Sequence, residues 1–133
     1  MSLESEDFAV TDSELIARFI VSSKWFRRDQ TVRQDAFIPH PHPDLSVTRH
    51  KSFSENEIWN VGQEIANKRP ATLYGRADIS VEDVRKQKLV VEARPVPDNV
   101  NHASIVGWPL GKPAQKILAL ELAASSHFVP KLV

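Results

Sequence analysis

His102 and a set of arginines carry the chemistry that this sequence offers most directly. A histidine can act as a general base near neutral pH, and an arginine can hold a phosphate or a carboxylate through two parallel hydrogen bonds. His102 follows a loop marked by Pro95 and Pro97 and precedes a short apolar run that ends at Gly107. Such flanking elements would hold its backbone while its side chain faces a cleft. His102 is therefore the leading candidate site residue, and a hydrogen bond that caps the turn internally is the alternative.

The candidate catalytic set combines His102 with His50, Arg49 and Arg94. Ser46 belongs to the same polar group, which several arginines extend into an anion-binding face: Arg27, Arg28, Arg33, Arg76 and Arg94. Such a group suits metal-independent cleavage of RNA or transfer chemistry on a nucleotide ligand. The competing interpretation is that these arginines simply pair with the 17 acidic residues. If His102 and an arginine line one pocket, the enzyme hypothesis stands; if they lie on opposite faces, it fails.

Aromatic and basic residues also predict a surface for a protein partner or for self-association as a homodimer. Aromatic side chains and arginine are enriched where interfaces bind most strongly. The best local example is W-F-R-R at 25–28. The other reading is that each tryptophan closes the core. The candidate binding residues are Trp25, Arg27, Arg28, Asn101 and Trp108.

Metal and cofactor sites are not predicted. His40 and His42 stand two apart in P-H-P-H-P, but the alternating prolines favour a stiff polyproline-like linker in which the two imidazoles diverge. The chain has no Cys, which excludes disulfides and thiolate ligands. Its four glycines are isolated, so phosphate-cradling glycine motifs are absent.

Length and charge narrow the class of protein. A chain of 133 residues is typical of one domain, and we expect a flexible N-terminus at 1–10 followed by a single domain at 11–133. Lys plus Arg and Asp plus Glu number 17 each, so net charge does not indicate nucleic acid as a partner. No secretory signal and no apolar run of membrane-spanning length is evident, which favours a cytoplasmic protein without membrane contact.

The order of helical and strand patterns predicts an α+β fold, with a four- or five-stranded mixed or antiparallel sheet packed against about three helices. We predict helices at 12–22, 55–68 and 114–125 and a short helix at 81–87. Strands are expected at 31–38, 44–50, 72–79, 88–94 and 103–106. The last helix contains a run, 117–124, whose only polar residue is Glu121. It is therefore expected to be buried on most of its circumference, and Leu120→Asp is expected to cost roughly 3 kcal/mol or more.

Short segments of the chain resemble a small bacterial protein family without an assigned function. They are A-F-x-P at Ala36 to Pro39, L-S-V at Leu45 to Val47, and P-x-x-x-x-H-A-x-[IV]-x-G from Pro97 to Gly107. The resemblance implies a setting of mobile-element or defence genes, and the leading hypothesis for this chain is a small non-enzymatic binding or accessory protein. The resemblance implies no particular reaction and assigns no catalytic residue. Whether the chain is an enzyme stays open at this point, with the His/Arg enzyme as the alternative.

Overall fold

A computed structural model describes residues 9–132, which form one α+β domain around an antiparallel sheet. The strands are β1 (Leu15–Ile20), β2 (Leu45–Arg49), β3 (Gly75–Ser80), β4 (Val90–Ala93), β5 (His102–Val106) and β6 (His127–Pro130). The helices are α1 (Glu55–Lys68), α2 (Val81–Lys86) and α3 (Lys112–Ser125), with 3-10 turns at Ser23–Trp25 and Gln34–Phe37. Across the sheet the order is β4-β5-β2-β1-β3-β6. The predicted fold class is confirmed, with six strands instead of four or five.

Helix α1 packs on one face of the sheet. Its buried residues Ile58 and Ala66 share a cluster with Ala17 and Phe19 of β1. A Cβ built at Gly62 would come within 2.6 Å of the Phe19 ring, so the helix can approach the strand closely because this position is a glycine. The capping box predicted at the start of α1 is confirmed, since Ser54 and Glu57 each accept a hydrogen bond from the other's backbone N–H.

The opposite side of the sheet carries the larger core. Buried side chains of α3, such as Leu122, join Ile16 and Ile20 of β1 and Ile79 of β3 there. Phe37 of the second 3-10 turn is fully buried in the same cluster. Strand β1 is thus buried on both faces, which places it at the centre of the domain.

The helix predicted at 12–22 is wrong, because its centre is strand β1. The apolar residues Leu15, Ile16, Phe19 and Ile20 fit one stripe of a helix, yet they also fit a strand that is covered on both faces. Pairing with β3 runs along the whole strand, from Leu15 opposite Ser80 to Ile20 opposite Gly75. Tertiary packing decides between two local structures that the pattern alone allows.

The strand predicted at 31–38 is also wrong. Only Val32 forms an isolated bridge, with Phe26, and the 3-10 turn Gln34–Phe37 follows. A compact turn buries the neighbours Ala36 and Phe37 together, whereas a strand would point them to opposite faces. The polyproline-like linker at 39–43 is wrong as well, since the N–H of His42 donates to the carbonyl of Pro39 at 2.9 Å and closes a turn.

Helix α3 is amphipathic and not buried on most of its circumference. Leu122 is fully buried, but Ile117 is 68% exposed and Leu120 is 51% exposed. The prediction that this helix is buried on most of its circumference is therefore wrong. The loss of roughly 3 kcal/mol or more expected for Leu120→Asp is corrected to a change in the free energy of unfolding within about 1 kcal/mol. The position is right, however, because α3 spans Lys112–Ser125 where 114–125 was predicted.

Most of the remaining elements lie where the sequence predicted them. Strands β2, β4 and β5 and helices α1 and α2 lie where they were predicted, and β3 begins at Gly75 instead of bending there. Strand β6 was not predicted, and it adds an edge to the sheet beside β3. The N-terminus expected to be flexible, 1–10, falls largely outside the described residues. Within residues 9–132 no helix has the length and apolar character needed to cross a membrane.

Candidate functional site

A pocket between α1 and the strands β1, β2 and β5 brings His102 together with two arginines. It encloses about 190 Å³. Its polar lining consists of Arg18, Ser46, Thr48, Arg69 and His102. No Asp or Glu is present among the described residues that line it. We call this feature the cationic pocket.

The geometry of β1 and β2 positions Arg18. The two strands pair only through Ile16 opposite Arg49 and Ala17 opposite Thr48. Beyond that point the Arg18 side chain donates from Nη1 to the carbonyl of Ser46 at 3.1 Å, and from Nε to the carbonyl of Ala36 at 2.8 Å. Its guanidinium thus connects β1 to β2 and to the second 3-10 turn, at the point where the backbone pairing of β1 with β2 has ended.

Arg18 is held in place without a carboxylate partner in the described chain. Its guanidinium carbon lies 5.1 Å from the centre of the Trp25 ring, a cation–π contact. Nη2 donates no hydrogen bond to any group of residues 9–132. Burial and, to a smaller extent, the nearby positive charge of Arg69 together lower the pKa of Arg18 to about 10. The side chain is still a cation at neutral pH, and its positive charge is not neutralised by the protein around it.

Arg69 provides the second cation of the pocket. It caps the C-terminal end of α1, where its backbone N–H donates to the carbonyl of Ala66. The side chain is exposed and forms no hydrogen bond or ion pair within the part of the chain that the structure describes. Arg69 thus lines the pocket as an exposed cation.

His102 is oriented by the loop that precedes β5. Its Nδ1 lies 2.8 Å from the carbonyl oxygen of Arg94. A carbonyl can only accept, so Nδ1 carries the proton and Nε2 of the neutral ring is an acceptor. Both alternatives considered for His102 hold in part, because the ring bonds to backbone through one nitrogen and also lines the pocket. On the strand beside it, Thr48 accepts a hydrogen bond from Asn99, so its hydroxyl hydrogen remains available.

The walls of the cationic pocket are apolar. Phe19 and Val21 contribute from β1 and the residue after it, and Ile65 contributes from α1. Clefts adjoin the pocket on two sides, and they contain acids. Asp44 is paired with Arg94, Asp98 is paired with Lys68, and Glu64 lies on the outer side of α1. Arg18 and Arg69 also line the cleft that contains Asp44, but the ion pair of that carboxylate is with Arg94.

The predicted catalytic residues do not converge on His102. His50 directly follows β2, and its Nε2 lies 2.9 Å from the carboxylate of Asp78 in β3. Arg49 binds Glu14 through Nε at 2.8 Å and also donates to the carbonyl of Ala9. Arg94 pairs with Asp44 and Glu92 near the surface, and reaches His102 only through its backbone carbonyl.

The predicted binding residues are also spread over several environments. Trp25 backs Arg18, whereas Arg27 donates to Thr31 and to the carbonyl of Val32. Trp108 donates from Nε1 to the carbonyl of Ile105. Asn101 is buried, and its side chain donates to the carbonyls at 49 and 51. Asn101 therefore joins the loop before β5 to the end of β2. Arg28 is exposed and lies outside the cationic pocket.

Among residues 9–132, no group of three or more His, Asp or Glu side chains is arranged to hold a metal ion. His40 and His42 both line the cleft beside the cationic pocket, where Asp44 is the acid near them. Asp44 is already paired with Arg94.

Two residues of the pocket, Arg18 and Arg69, were not singled out from the sequence. Arg18 interrupts an apolar run, L-I-A-R-F-I, and a cation within such a run is a signal because arginine is rarely buried without a partner. Arg69 stands between the last turn of α1 and Pro70, where a basic residue is ordinarily explained by the helix end. Sequence gives no comparable signal for it.

Comparison with known proteins finds no matching family model, curated protein or solved structure. The resemblance suggested by the short A-F-x-P, L-S-V and H-A-x-[IV]-x-G segments thus stays a prediction.

Proposed function

We propose that this protein is a small binding module that holds an anionic group of its ligand between Arg18 and Arg69. The observation that carries the proposal is the state of Arg18. It is fixed by two backbone carbonyls and an aromatic ring, yet it has no carboxylate partner within residues 9–132. A cation that is positioned in advance loses little entropy when it binds an anion. Charge-assisted hydrogen bonds from a guanidinium are also stronger than neutral ones.

The other deeply buried arginines support this argument by contrast. Arg49 pairs with Glu14, and Arg76 pairs with Asp78 and Glu55. Burial of a cation without such a partner costs free energy of folding, and groups that are perturbed in this way cluster at functional sites. A bound anion would supply the partner that Arg18 lacks and would stabilise the folded protein by mass action.

The alternative is a metal-independent His/Arg enzyme acting on RNA or a nucleotide. The pocket offers a proton acceptor for such an enzyme but no second acid–base group among its described residues. His102 Nε2 is placed as a proton acceptor in the pocket that contains the arginines. Cleavage of a phosphodiester also needs a group that protonates the leaving oxygen. Among the described residues that line the pocket, His102 is the only histidine, and no Asp or Glu stands beside it as a second acid–base group. Binding is therefore the better supported function, and the enzyme stays as the second hypothesis.

A protein partner or self-association is a separate part of the expectation. It is supported by apolar side chains that α3 and the turn before it expose: Leu110, Ile117 and Leu120. The setting of mobile-element or defence genes rests on the resemblance alone.

The test of anion binding is calorimetric titration with sodium acetate, sodium benzoate and sodium phosphate at constant ionic strength. We expect at least one of these anions to bind the parent protein saturably and to raise its melting temperature. Arg18→Gln should weaken that binding by at least about tenfold, because it removes the fixed charge while it keeps a hydrogen-bond donor.

The matched control is Arg28→Gln, which removes the same charge from an exposed position outside the pocket. Its affinity for the anion should equal that of the parent. Equal losses in Arg28→Gln and Arg18→Gln would mean that only the overall charge matters. That result, or a lack of saturable binding by all three anions, would overturn the proposal.

A further inference from the structure

The shape and lining of the cationic pocket bear on the class of anion that it takes. This step rests on the proposed function, and it uses the apolar walls, the volume and the end of α1. We infer that the ligand is a small organic carboxylate whose apolar body is about the size of one aromatic ring. The carboxylate lies against Arg18 and Arg69, and the body lies against Phe19, Val21 and Ile65.

The apolar walls carry the first step of the argument. A site for a bare inorganic anion needs donors around most of the ion, because a desolvated charge must recover its hydrogen bonds. Here the polar groups cover only part of the lining, because Phe19, Val21 and Ile65 provide surface with no polar side-chain atom. These walls contribute to the free energy of binding only if the ligand has an apolar group that covers them and removes them from water.

The volume sets the size of that apolar group. The pocket encloses about 190 Å³. An apolar cavity of about 150 Å³ in another protein is large enough to take up benzene. A single six-membered ring, or a branched chain of similar bulk, therefore fits beside the charged group. A nucleotide, with a base and a sugar in addition to its phosphate, exceeds the enclosed space and would extend into the adjoining clefts.

The direction of α1 favours a carboxylate over a phosphate. Phosphate sites commonly use the N-terminus of a helix, where free N–H groups and the positive end of the dipole face the anion. The pocket instead lies at the C-terminal end of α1, where Arg69 caps the helix and the last carbonyls point. That end carries partial negative charge, which opposes a dianion more than a monoanion. The acceptor Nε2 of His102 also opposes an additional anionic oxygen.

Arg18 offers the kind of donor that suits a carboxylate. Its Nε and Nη1 are engaged by the carbonyls of Ala36 and Ser46, which fixes the plane of the guanidinium. Nη2 donates to no group of residues 9–132, and Nη1 has a second hydrogen besides the one that Ser46 accepts. Two parallel N–H groups on one edge match the two oxygens of a carboxylate.

The experiment compares probes that separate charge from apolar body. Benzoate has both, acetate and phosphate have the charge without the ring, and benzamide has the ring without the charge. By calorimetry at constant ionic strength, benzoate should bind the parent protein at least about tenfold more tightly than acetate or phosphate. Benzamide should bind at least about tenfold more weakly than benzoate. Phenyl phosphate, which joins the same ring to a dianion, should bind more weakly than benzoate.

Two variants locate the two halves of the ligand. Arg18→Gln should abolish the preference for benzoate over benzamide. Val21→Thr, which is nearly isosteric and adds a hydroxyl to the wall, should weaken benzoate at least about threefold while it leaves acetate unchanged. The comparison of probes on the parent protein does not depend on whether either variant folds.

The outcomes distinguish this inference from the proposal on which it rests. If acetate or phosphate binds as tightly as benzoate and Arg18→Gln removes that binding, the pocket is an anion site and the aromatic-size carboxylate is wrong. If phenyl phosphate binds more tightly than benzoate, the ligand class is a phosphate ester and the inference is likewise overturned. If no anion binds in a manner that depends on Arg18, the binding function itself fails.

Discussion

Arg76 and Arg18 lie on paired strands at the centre of the sheet, yet the protein uses them in opposite ways. Arg76 donates from Nε to Asp78 and from both Nη atoms to Glu55, and its guanidinium carbon lies 4.7 Å from the centre of the Trp59 ring. Arg18 also lies over a tryptophan, but within residues 9–132 its hydrogen bonds go to backbone carbonyls alone. The aromatic contact is common to both, and the carboxylates distinguish them.

We propose that this difference separates a cation that stabilises the fold from one that binds a ligand. Arg76 pairs with the carboxylates of Asp78 and Glu55, and these ion pairs connect the first turn of α1 to the sheet. The charged side chain that acts on Arg18 is another cation, Arg69. A fold gains nothing from two adjacent unpaired cations, so their arrangement is better explained by an anion that arrives from outside.

The largest expected effect compares the same substitution at the two arginines. Arg76→Met should lower the free energy of unfolding by roughly 3 kcal/mol or more, because it leaves the buried Asp78 without its main cationic partner. Arg18→Met should change it by no more than about 1 kcal/mol, since relief of an unpaired charge offsets the lost hydrogen bonds. Urea unfolding of both variants measures the difference.

The ligand provides the complementary half of that comparison. Benzoate should raise the melting temperature of the parent protein and of Arg76→Met, but not that of Arg18→Met. If the two variants lose the same stability, Arg18 is as structural as Arg76 and its unpaired state has no special meaning.

The contrast also explains how much of the protein could be predicted from its sequence. The capping box of α1 and the apolar strands β4 and β5 depend on neighbouring residues, so local pattern was sufficient. Strand β1 was mistaken for a helix because burial on both faces removes the alternation that identifies a strand. Arg18 lies inside that segment, and as a helical residue it would have had no reason to face His102.

The site was predicted in part for the same physical reason. His102 stands between a loop and a buried strand, and that position is visible in sequence. Arg18, Arg69 and Ile65 reach the same pocket only because α1 folds back over β1 at Gly62. Contacts of that range depend on the complete fold. The scatter of His50, Arg49 and Arg94 has the same origin, since their carboxylate partners lie on other elements.

An intermediate effect is expected for His102→Ala. The variant loses the hydrogen bond between Nδ1 and the carbonyl of Arg94, which should lower the free energy of unfolding by about 1 kcal/mol. Benzoate affinity should change much less than in Arg18→Gln, because Nε2 of the neutral ring is an acceptor and cannot hydrogen-bond to a carboxylate. Urea unfolding and calorimetry of the same variant measure both. A loss of affinity as large as that of Arg18→Gln, with unchanged stability, would make His102 the principal site residue.

The smallest effect concerns the pH dependence that Glu55 gives to the Arg76 network. Hydrogen bonds from Arg76 lower the pKa of Glu55 below its ordinary value, although partial burial acts in the opposite direction. The unfolded chain therefore takes up this proton first as pH falls, so the contribution of Glu55 to stability is complete above the unfolded pKa and is lost as pH falls through the folded one. Glu55 is 67% exposed, so Glu55→Gln should cost only about half a kcal/mol at pH 7. At pH 3 the difference from the parent should shrink, as measured by urea midpoints at the two pH values. Glu121→Gln, an exposed change on α3, should show no such trend. A Glu55→Gln deficit that is unchanged at pH 3 would mean that shape and not charge connects Glu55 to Arg76.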